Sequence, residues 1–288
     1  MSFKECLKRL LNLIFAKRPV HLIANVSALQ PSELLAGRCA LITGGTSGIG
    51  FALARAFIDA GATVIITGRS EERLMRAKTL LNSPDKVFYQ LLDNCKVDDF
   101  HSKLTSILEE IRLKGIRQID ILVNNAGVNG AGFPNAMSEE YDLVMNTDLK
   151  GAFFLSQLMG IYMRDNHIKG NILNIASSSS LRPANSAYTL AKWGIRGLTL
   201  GLAKSLIPYG ITVNGLAPGP TATPMMLKNN NTNIYNASNP LHRLVMPEEI
   251  ASMAVVLVSS LGRSIVGDIV YMSGGAGLIT YDDIQYKF

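Results

Sequence analysis

The segment Thr43-Gly44-Gly45-Thr46-Ser47-Gly48-Ile49-Gly50 decides the fold, because it joins an apolar run to a helical pattern. The run Cys39–Thr43 has the composition of a strand, and Ile49–Ala60 repeats apolar side chains at helical spacing. Because the residues of the turn have small side chains or none, backbone N–H groups and the helix N-terminus can approach a pyrophosphate. Gly50 lets the helix pack closely on the strand. The segment therefore predicts a dinucleotide site, although a purely structural turn could use the same residues. The predicted contacts come from Gly44, Thr46, Ser47, Gly48, Ile49 and Gly50.

The alternation of strand and helix continues along the chain. Six further strands are predicted at Thr63–Thr67, Val87–Leu92, Ile119–Asn124, Asn171–Ala176, Ile211–Leu216 and Asp268–Met272. Helices are predicted at Ile49–Ala60, Glu71–Leu81, Val97–Lys114 and Glu139–Arg164. Strands that are apolar on both faces and separated by helices predict an α/β protein with a doubly wound, mainly parallel sheet. No linker interrupts the rhythm, so residues 37–288 are interpreted as a single domain.

The charge of the chain is concentrated in its first residues. Of a net charge of +6, residues 1–18 contribute most, with one glutamate against a basic set of Lys4, Lys8, Arg9, Lys17 and Arg18. The rest of the chain is too weakly basic to argue for a nucleic-acid surface. Hydrophobic residues make up 48% and charged residues 17%, which favours a well-packed globular protein over a disordered chain.

Residues 1–36 form an extension outside the strand–helix rhythm. Phe3, Leu7, Leu10 and Ile14 have helical spacing, so a basic amphipathic helix is predicted there. Such a helix can lie on a membrane surface, but packing on its own domain or on a sister subunit is the favoured interpretation. No apolar run reaches the roughly 18 residues that span a bilayer.

The cysteines give the expected compartment. Cys6, Cys39 and Cys95 fit no disulfide framework and no zinc spacing, so we expect a reducing cytoplasm and no metal site.

A polar, asparagine-rich stretch at 228–240 has the length and position of a mobile lid over a substrate pocket. Met225-Met226-Leu227 beside it indicates a partly hydrophobic ligand.

Arg69 indicates which dinucleotide the turn would hold. It lies two residues after the second predicted strand, where an NAD-binding protein usually has an acidic residue for the ribose 2′-hydroxyl. A guanidinium there can bond a 2′-phosphate bidentately, so NADP(H) is predicted and NAD(H) is the alternative. Arg69 could also be a solvated residue that begins a helix. Asp93, which follows the third strand, could accept a hydrogen bond from adenine or cap the next element.

Tyr188 and Lys192 are candidates for the chemistry. Spaced by four, they share one face of a predicted helix, where an ammonium can stabilise a phenolate and hold a ribose. Ser177, after the fifth predicted strand, could donate a hydrogen bond to a substrate oxygen as charge develops, with Ser178 as the second candidate. Alone, the Tyr-x-x-x-Lys pair would be an ordinary helix surface.

Together with Asn124-Asn125-Ala126-Gly127 and Pro218-Gly219, these motifs resemble the short-chain dehydrogenase/reductase family over about residues 36–276. The resemblance implies a three-layer Rossmann fold with seven parallel strands, a homodimer or homotetramer, and tyrosine acid/base catalysis of hydride transfer between a nicotinamide and a carbonyl or alcohol. It also implies contacts to the adenosine side from Asn125, Ala126 and Gly127. Contacts to the nicotinamide end are implied for Pro218, Gly219 and either Thr223 or Thr221.

Asp148 departs from the family's pattern. The family usually has asparagine before Leu-Lys-Gly, as part of a proton relay with the lysine, whereas this chain has Asp148 and places Asn146 two residues early. On an α-helix the two would point about 200° apart, so Asn146 cannot replace the missing amide. Asp148 could accept hydrogen bonds near Lys192 and favour its protonated form. It also leaves open a nucleotide-binding sensor with impaired catalysis.

No motif in the sequence identifies the substrate. A 3-oxoacyl thioester, a steroid-like alcohol and a sugar or polyketide carbonyl all fit what the resemblance implies.

Overall fold

The computed structural model describes residues 4, 31–224, 226–227 and 233–278. The chain divides into two compact units, Met1–Gln30 and Pro31–Phe288. The second unit begins earlier than the predicted boundary at residue 37, and Leu35 is already fully buried. The basic helix predicted within residues 1–18 lies outside the described residues, except for Lys4. Residues 228–232 of the predicted lid lie outside them as well, and so does Met225 of the apolar stretch before the lid.

A seven-stranded sheet organises the unit Pro31–Phe288. Its strands are β1 (Cys39–Ile42), β2 (Thr63–Gly68), β3 (Val87–Leu91), β4 (Ile121–Asn124), β5 (Asn171–Ile175), β6 (Thr212–Pro218) and β7 (Ile269–Met272). All neighbours pair in parallel in the order β3-β2-β1-β4-β5-β6-β7. The strand order reverses between β1 and β4, and ligands of open α/β sheets bind at such a switch point. The predicted parallel Rossmann sheet is confirmed.

Helices cover both faces of this sheet. They are α1 (Gly48–Asp59), α2 (Glu71–Leu81), α3 (Phe100–Leu113), α4 (Ser138–Val144), α5 (Gly151–Asp165), α6 (Ala187–Leu206) and α7 (Pro247–Val258). One hydrophobic core contains side chains of α1, α2 and α7, and the other contains side chains of α3, α5 and α6. Because β1, β4 and β5 lie between the two cores, every residue in these strands is buried, which explains their continuous apolar runs.

Helical winding is continuous over the segment predicted as one helix, Glu139–Arg164, but it is not α-helical throughout. A π-helical turn at Met145–Lys150 separates α4 from α5. π winding changes the exact angle between Asn146 and Asp148, but the prediction that Asn146 cannot replace the missing amide stands, because Asp148 is buried beside Lys192 and Asn146 is partly exposed. π turns of this kind are rare and occur frequently at functional sites.

Candidate active site

The glycine turn leaves backbone donors open at the start of α1. Gly44 and Gly48 have positive φ angles of 66° and 55°, a conformation that L side chains rarely adopt. A Cβ on Gly50 would collide with the carbonyl oxygen of Gly44. Ser47 stands at the N-cap but makes no side-chain capping bond, so the first N–H groups of the helix have no such partner. This cradle fits a pyrophosphate, and it contains the predicted Thr46 and Ile49, both partly exposed.

The residues after β4 hold that turn in place. Asn125 Nδ2 donates to the carbonyl oxygen of Thr43 at 2.9 Å. The backbone N–H groups of Asn125 and Ala126 both donate to Thr43 Oγ1, at 2.9 and 3.0 Å. Thr43 is fully buried, and its hydroxyl connects the glycine turn to the Asn125-Ala126 segment. The sequence analysis did not predict this connection. Asn125 thus fixes the shape of the turn.

The adenosine end carries Arg69 and Asp93. Arg69 is exposed just beyond the end of β2 and forms no ion pair with the described residues, so its guanidinium is available to a phosphate. Asp93 Oδ1 accepts a hydrogen bond from the N–H of Cys95 at 3.0 Å. Asp93 thereby closes its own turn rather than capping the next element, the short turn Val97–Asp99, whose N-cap is Lys96, and its second carboxylate oxygen is left for an adenine contact.

Helix α6 brings Tyr188 and Lys192 to the end of β5. Its N-cap Ser186 accepts from the N–H of Thr189, which fixes the first turn around Tyr188. Lys192 is only 4% exposed, and its Nζ donates to the carbonyl oxygen of Ile175, the last residue of β5, at 3.1 Å. The same Nζ lies 5.4 Å from the centre of the Tyr188 ring. The lysine is thus held in one position beneath a half-buried phenol.

Asp148 joins this pair through the π turn. Its Oδ2 lies 3.3 Å from Lys192 Nζ, and its Oδ1 accepts from the N–H of Val128 at 2.8 Å. A Cβ on Gly127 would stand 2.7 Å from Oδ2, so the glycine is what lets the carboxylate approach. The three predicted residues are thus brought together, with Asp148 and Lys192 buried and Tyr188 half-buried.

The charges of this pair are interdependent. Burial alone would lower the pKa of Lys192, but the carboxylate of Asp148 and then Tyr188 outweigh it, so the pKa is raised and the lysine stays protonated. Burial raises the pKa of Asp148, an effect that Lys192 opposes.

Ser177 lies two residues beyond the end of β5. It is 7% exposed, and its Oγ accepts from the N–H of Ser179 at 3.1 Å as the cap of the short turn Ser178–Leu181. Because that bond uses only an acceptor lone pair, the hydroxyl proton can be donated elsewhere. Ser178 is also buried and remains the second candidate.

The loop after β6 reaches over the glycine turn. Gly219 donates its N–H to the carbonyl oxygen of Met272, which keeps Pro218-Gly219 against β7. The buried hydroxyl of Thr221 donates to the carbonyl oxygen of Gly219 at 2.8 Å and is thereby engaged. Thr223 Cγ2 lies 3.2 Å from where a Cβ on Gly48 would stand. Of the two predicted threonines, Thr223 is therefore the one beside the cradle.

A buried chain of polar side chains beneath the site was missed. Asn124 Nδ2 donates to Ser156 Oγ and to Asn174 Oδ1, both at 2.8 Å, and Asn174 Nδ2 donates to Thr199 Oγ1 at 2.9 Å. These hydrogen bonds connect β4, β5, α5 and α6, and they pass through Asn174, the residue before Ile175. The available signal was an asparagine at the same point of two apolar strands, since Asn124 and Asn174 are paired in register.

Comparison with known proteins identifies the family. A family model described as enoyl-(acyl carrier protein) reductase matches residues 44–277. The 3-oxoacyl-acyl-carrier-protein reductase FabG of Chlamydia trachomatis is 35% identical over 251 residues, covering 85% of this chain and 99% of the relative. The chain belongs to the short-chain dehydrogenase/reductase family. It is an oxidoreductase of the class that acts on CH–OH groups.

Two further relatives widen the comparison. The 3alpha-hydroxysteroid dehydrogenase of Mediterraneibacter gnavus is 31% identical over 254 residues, covering 84% of this chain and 98% of the relative. The crystal structure of 3-ketoacyl-(acyl-carrier-protein) reductase from Brucella melitensis complexed with NADH matches with a TM-score of 0.76 and 27% identity, covering 85% of this chain and all of that one. Among the described residues, no helix is both long and apolar enough to cross a membrane.

Proposed function

We propose that this short-chain dehydrogenase/reductase interconverts a carbonyl and a secondary alcohol with NADP(H), using Tyr188 as the acid/base. The observation that carries the proposal is the fixed ammonium of Lys192, bonded to Ile175 and placed 5.4 Å from the ring of Tyr188. An immobile cation beside a half-buried phenol stabilises the phenolate that proton transfer creates. Within a nucleotide cradle, that pair is suited to proton transfer on a substrate oxygen.

The chain's own residues move the proton. When bound, the nicotinamide supplies or accepts the hydride. In reduction the hydroxyl of Tyr188 gives its proton to the developing alkoxide, while Ser177 donates a hydrogen bond to the same oxygen. Lys192 stabilises the phenolate that remains. In oxidation the phenolate of Tyr188 takes the proton of the alcohol.

The cofactor preference rests on Arg69. The uncapped N-terminus of α1 suits the pyrophosphate of either nicotinamide nucleotide, whereas the exposed guanidinium at the end of β2 suits a 2′-phosphate. NADP(H) is therefore the proposed cofactor, and NAD(H), present in the Brucella structure, is the competitor to test.

A partly hydrophobic substrate is proposed. The N–H of Phe133 donates to the carbonyl oxygen of Asn185, three residues before Tyr188, and the Phe133 side chain is 76% exposed. Met226, after the β6 loop, is also exposed. Exposed apolar side chains on these two segments favour a 3-oxoacyl thioester or a steroid-like alcohol, as the names of the relatives suggest, over a sugar carbonyl.

A homodimer or homotetramer is proposed from the outer face of α5 and α6. Phe153, Phe154, Trp193 and Leu200 are all exposed on these helices, and a face of this kind is expected to be covered in solution by a second copy. The free thiols of Cys39 and Cys95 agree with the proposed cytoplasmic location.

The proposal is tested by following NADPH absorbance with a panel of 3-oxoacyl thioesters, keto-steroids and keto-sugars. We expect turnover by the native protein and a loss of at least about a hundredfold in Tyr188→Phe. Tyr141→Phe, at an exposed tyrosine of α4, is the matched control and should retain activity. Saturable NADPH binding without turnover of any carbonyl would instead identify a nucleotide-binding sensor.

A further inference from the structure

The contact between Asp148 and Lys192 changes the charge of the proposed proton-transfer site. An asparagine at this place would keep the shape and the hydrogen bond from Val128 but would be neutral. The carboxylate places a negative charge 3.3 Å from Lys192 Nζ, with both side chains almost fully buried. Water therefore screens little of their interaction.

We propose that Asp148 sets the pH range of the reaction, because its carboxylate offsets the positive charge by which Lys192 stabilises the phenolate of Tyr188. This rests on the proposed function, in which Tyr188 is the acid/base. Asp148 touches neither the phenol nor the reacting atoms; it is a positioning residue that acts through the lysine.

The surrounding charges leave this role to Asp148. Within the part of the chain that the structure describes, the ionisable groups that act on Lys192 are Asp148 and Tyr188, and the one that acts on Asp148 is Lys192. The π turn and the N–H of Val128 fix the carboxylate, and the carbonyl of Ile175 fixes the ammonium. Neither charge can turn away from the other without breaking one of these bonds.

The two directions of the reaction respond oppositely. Reduction transfers the phenolic proton to the substrate oxygen as hydride reaches the carbonyl carbon, so it needs Tyr188 protonated. Oxidation removes the hydroxyl proton of the alcohol as hydride leaves its carbon, so it needs the phenolate. A carboxylate beside the lysine disfavours the phenolate. Reduction should thus persist to alkaline pH, and oxidation should begin there, while the equilibrium constant of the reaction is unchanged.

The size of the effect follows from the geometry. The carboxylate lies 3.3 Å from an ammonium that is itself 5.4 Å from the ring centre, so it is at most about 9 Å from that centre. At that separation a unit charge in a protein changes proton affinity by about one pH unit.

The test compares Asp148→Asn with Asp142→Asn, which makes the same charge change at an exposed carboxylate of α4. The pH dependence of kcat is measured in both directions with NADPH and NADP⁺. We expect both profiles of Asp148→Asn to move about one unit toward lower pH, and those of Asp142→Asn to coincide with the native ones. Superimposable native and Asp148→Asn profiles, with Tyr188→Phe inactive, would overturn the role of Asp148 while leaving the proposed function intact. An active Tyr188→Phe would overturn the proposed function itself.

A measurement on the native enzyme covers the case in which Asp148→Asn does not fold. If the carboxylate offsets the charge of Lys192, the oxidation rate should still be rising with pH above about pH 8. A native oxidation rate that is already independent of pH between about 6 and 8 would overturn the proposal.

Discussion

The exchange Arg69→Ala tests the cofactor preference directly. The guanidinium is exposed at the end of β2, makes no ion pair with the described residues, and follows a strand that ends beside the glycine turn. Removing it leaves no charge unpaired within the described part of the protein, so its effect on folding should be small. Its effect on binding should fall on the nucleotide that carries a 2′-phosphate.

The expected magnitude comes from the kind of bond that is lost. A charge-assisted hydrogen bond contributes about 1.5–3 kcal/mol, which corresponds to a weakening of NADPH binding by roughly ten- to a hundredfold. NADH has a hydroxyl in place of the phosphate and should bind Arg69→Ala within about twofold of the native affinity. Because the side chain is exposed, the loss should shrink as salt is raised.

The assay is a fluorescence titration of native protein, Arg69→Ala and Arg73→Ala with NADPH and with NADH. Arg73 is an exposed arginine of α2, one helical turn along, and serves as the matched control. An unchanged ratio of the two affinities in Arg69→Ala would refute the assignment of Arg69. A larger change in Arg73→Ala would move the phosphate contact to that residue.

Three further changes probe the buried parts of the site. Gly127→Ala puts a Cβ 2.7 Å from Asp148 Oδ2, so the carboxylate must shift and kcat should fall about tenfold; an unchanged kcat in steady-state assays would contradict this. Asn174→Ala removes two buried side-chain hydrogen bonds and should lower the free energy of unfolding in urea by about 2–4 kcal/mol, whereas less than about 1 kcal/mol would mean that the polar chain is dispensable. Because the pKa of Lys192 is raised, the stability that it contributes is present below its ordinary value of 10.5 and lost as pH rises through the raised one. Lys192→Met should therefore show a flatter decline of unfolding free energy above pH 10.5, and equal slopes in alkaline urea titrations would exclude this contribution.

The sequence predicted the sheet well because its strands are buried on both faces. Such strands appear as uninterrupted apolar runs, and the predicted Asn171–Ala176 differs from β5 by one residue. The spacing of Tyr188 and Lys192 likewise fixed their common helix face, and alignment on Leu149-Lys150-Gly151 placed Asp148 near the lysine. The strands and the shared helix face needed only local pattern, whereas the placement of Asp148 came from the resemblance to the family.

The parts that were missed depend on geometry between distant segments. The bond from Asn124 to Asn174 depends on strand register, which single-strand patterns do not contain. The π turn adds a residue without changing the apolar character of its segment, so helical periodicity does not reveal it. The role of Asp93 could not be predicted because the same carboxylate can close its own turn and also face a ligand.

The π turn also has a consequence for how the length of this chain can vary. A π turn takes up one extra residue and leaves the helical phase on either side nearly unchanged. Deleting one residue within Met145–Lys150 would therefore restore ordinary α-helical winding while Leu155, Met159 and Met163 of α5 stay in the core. Such a deletion would change the angle at which Asp148 leaves the helix, so it would alter the contact with Lys192 without disturbing the packing of α5.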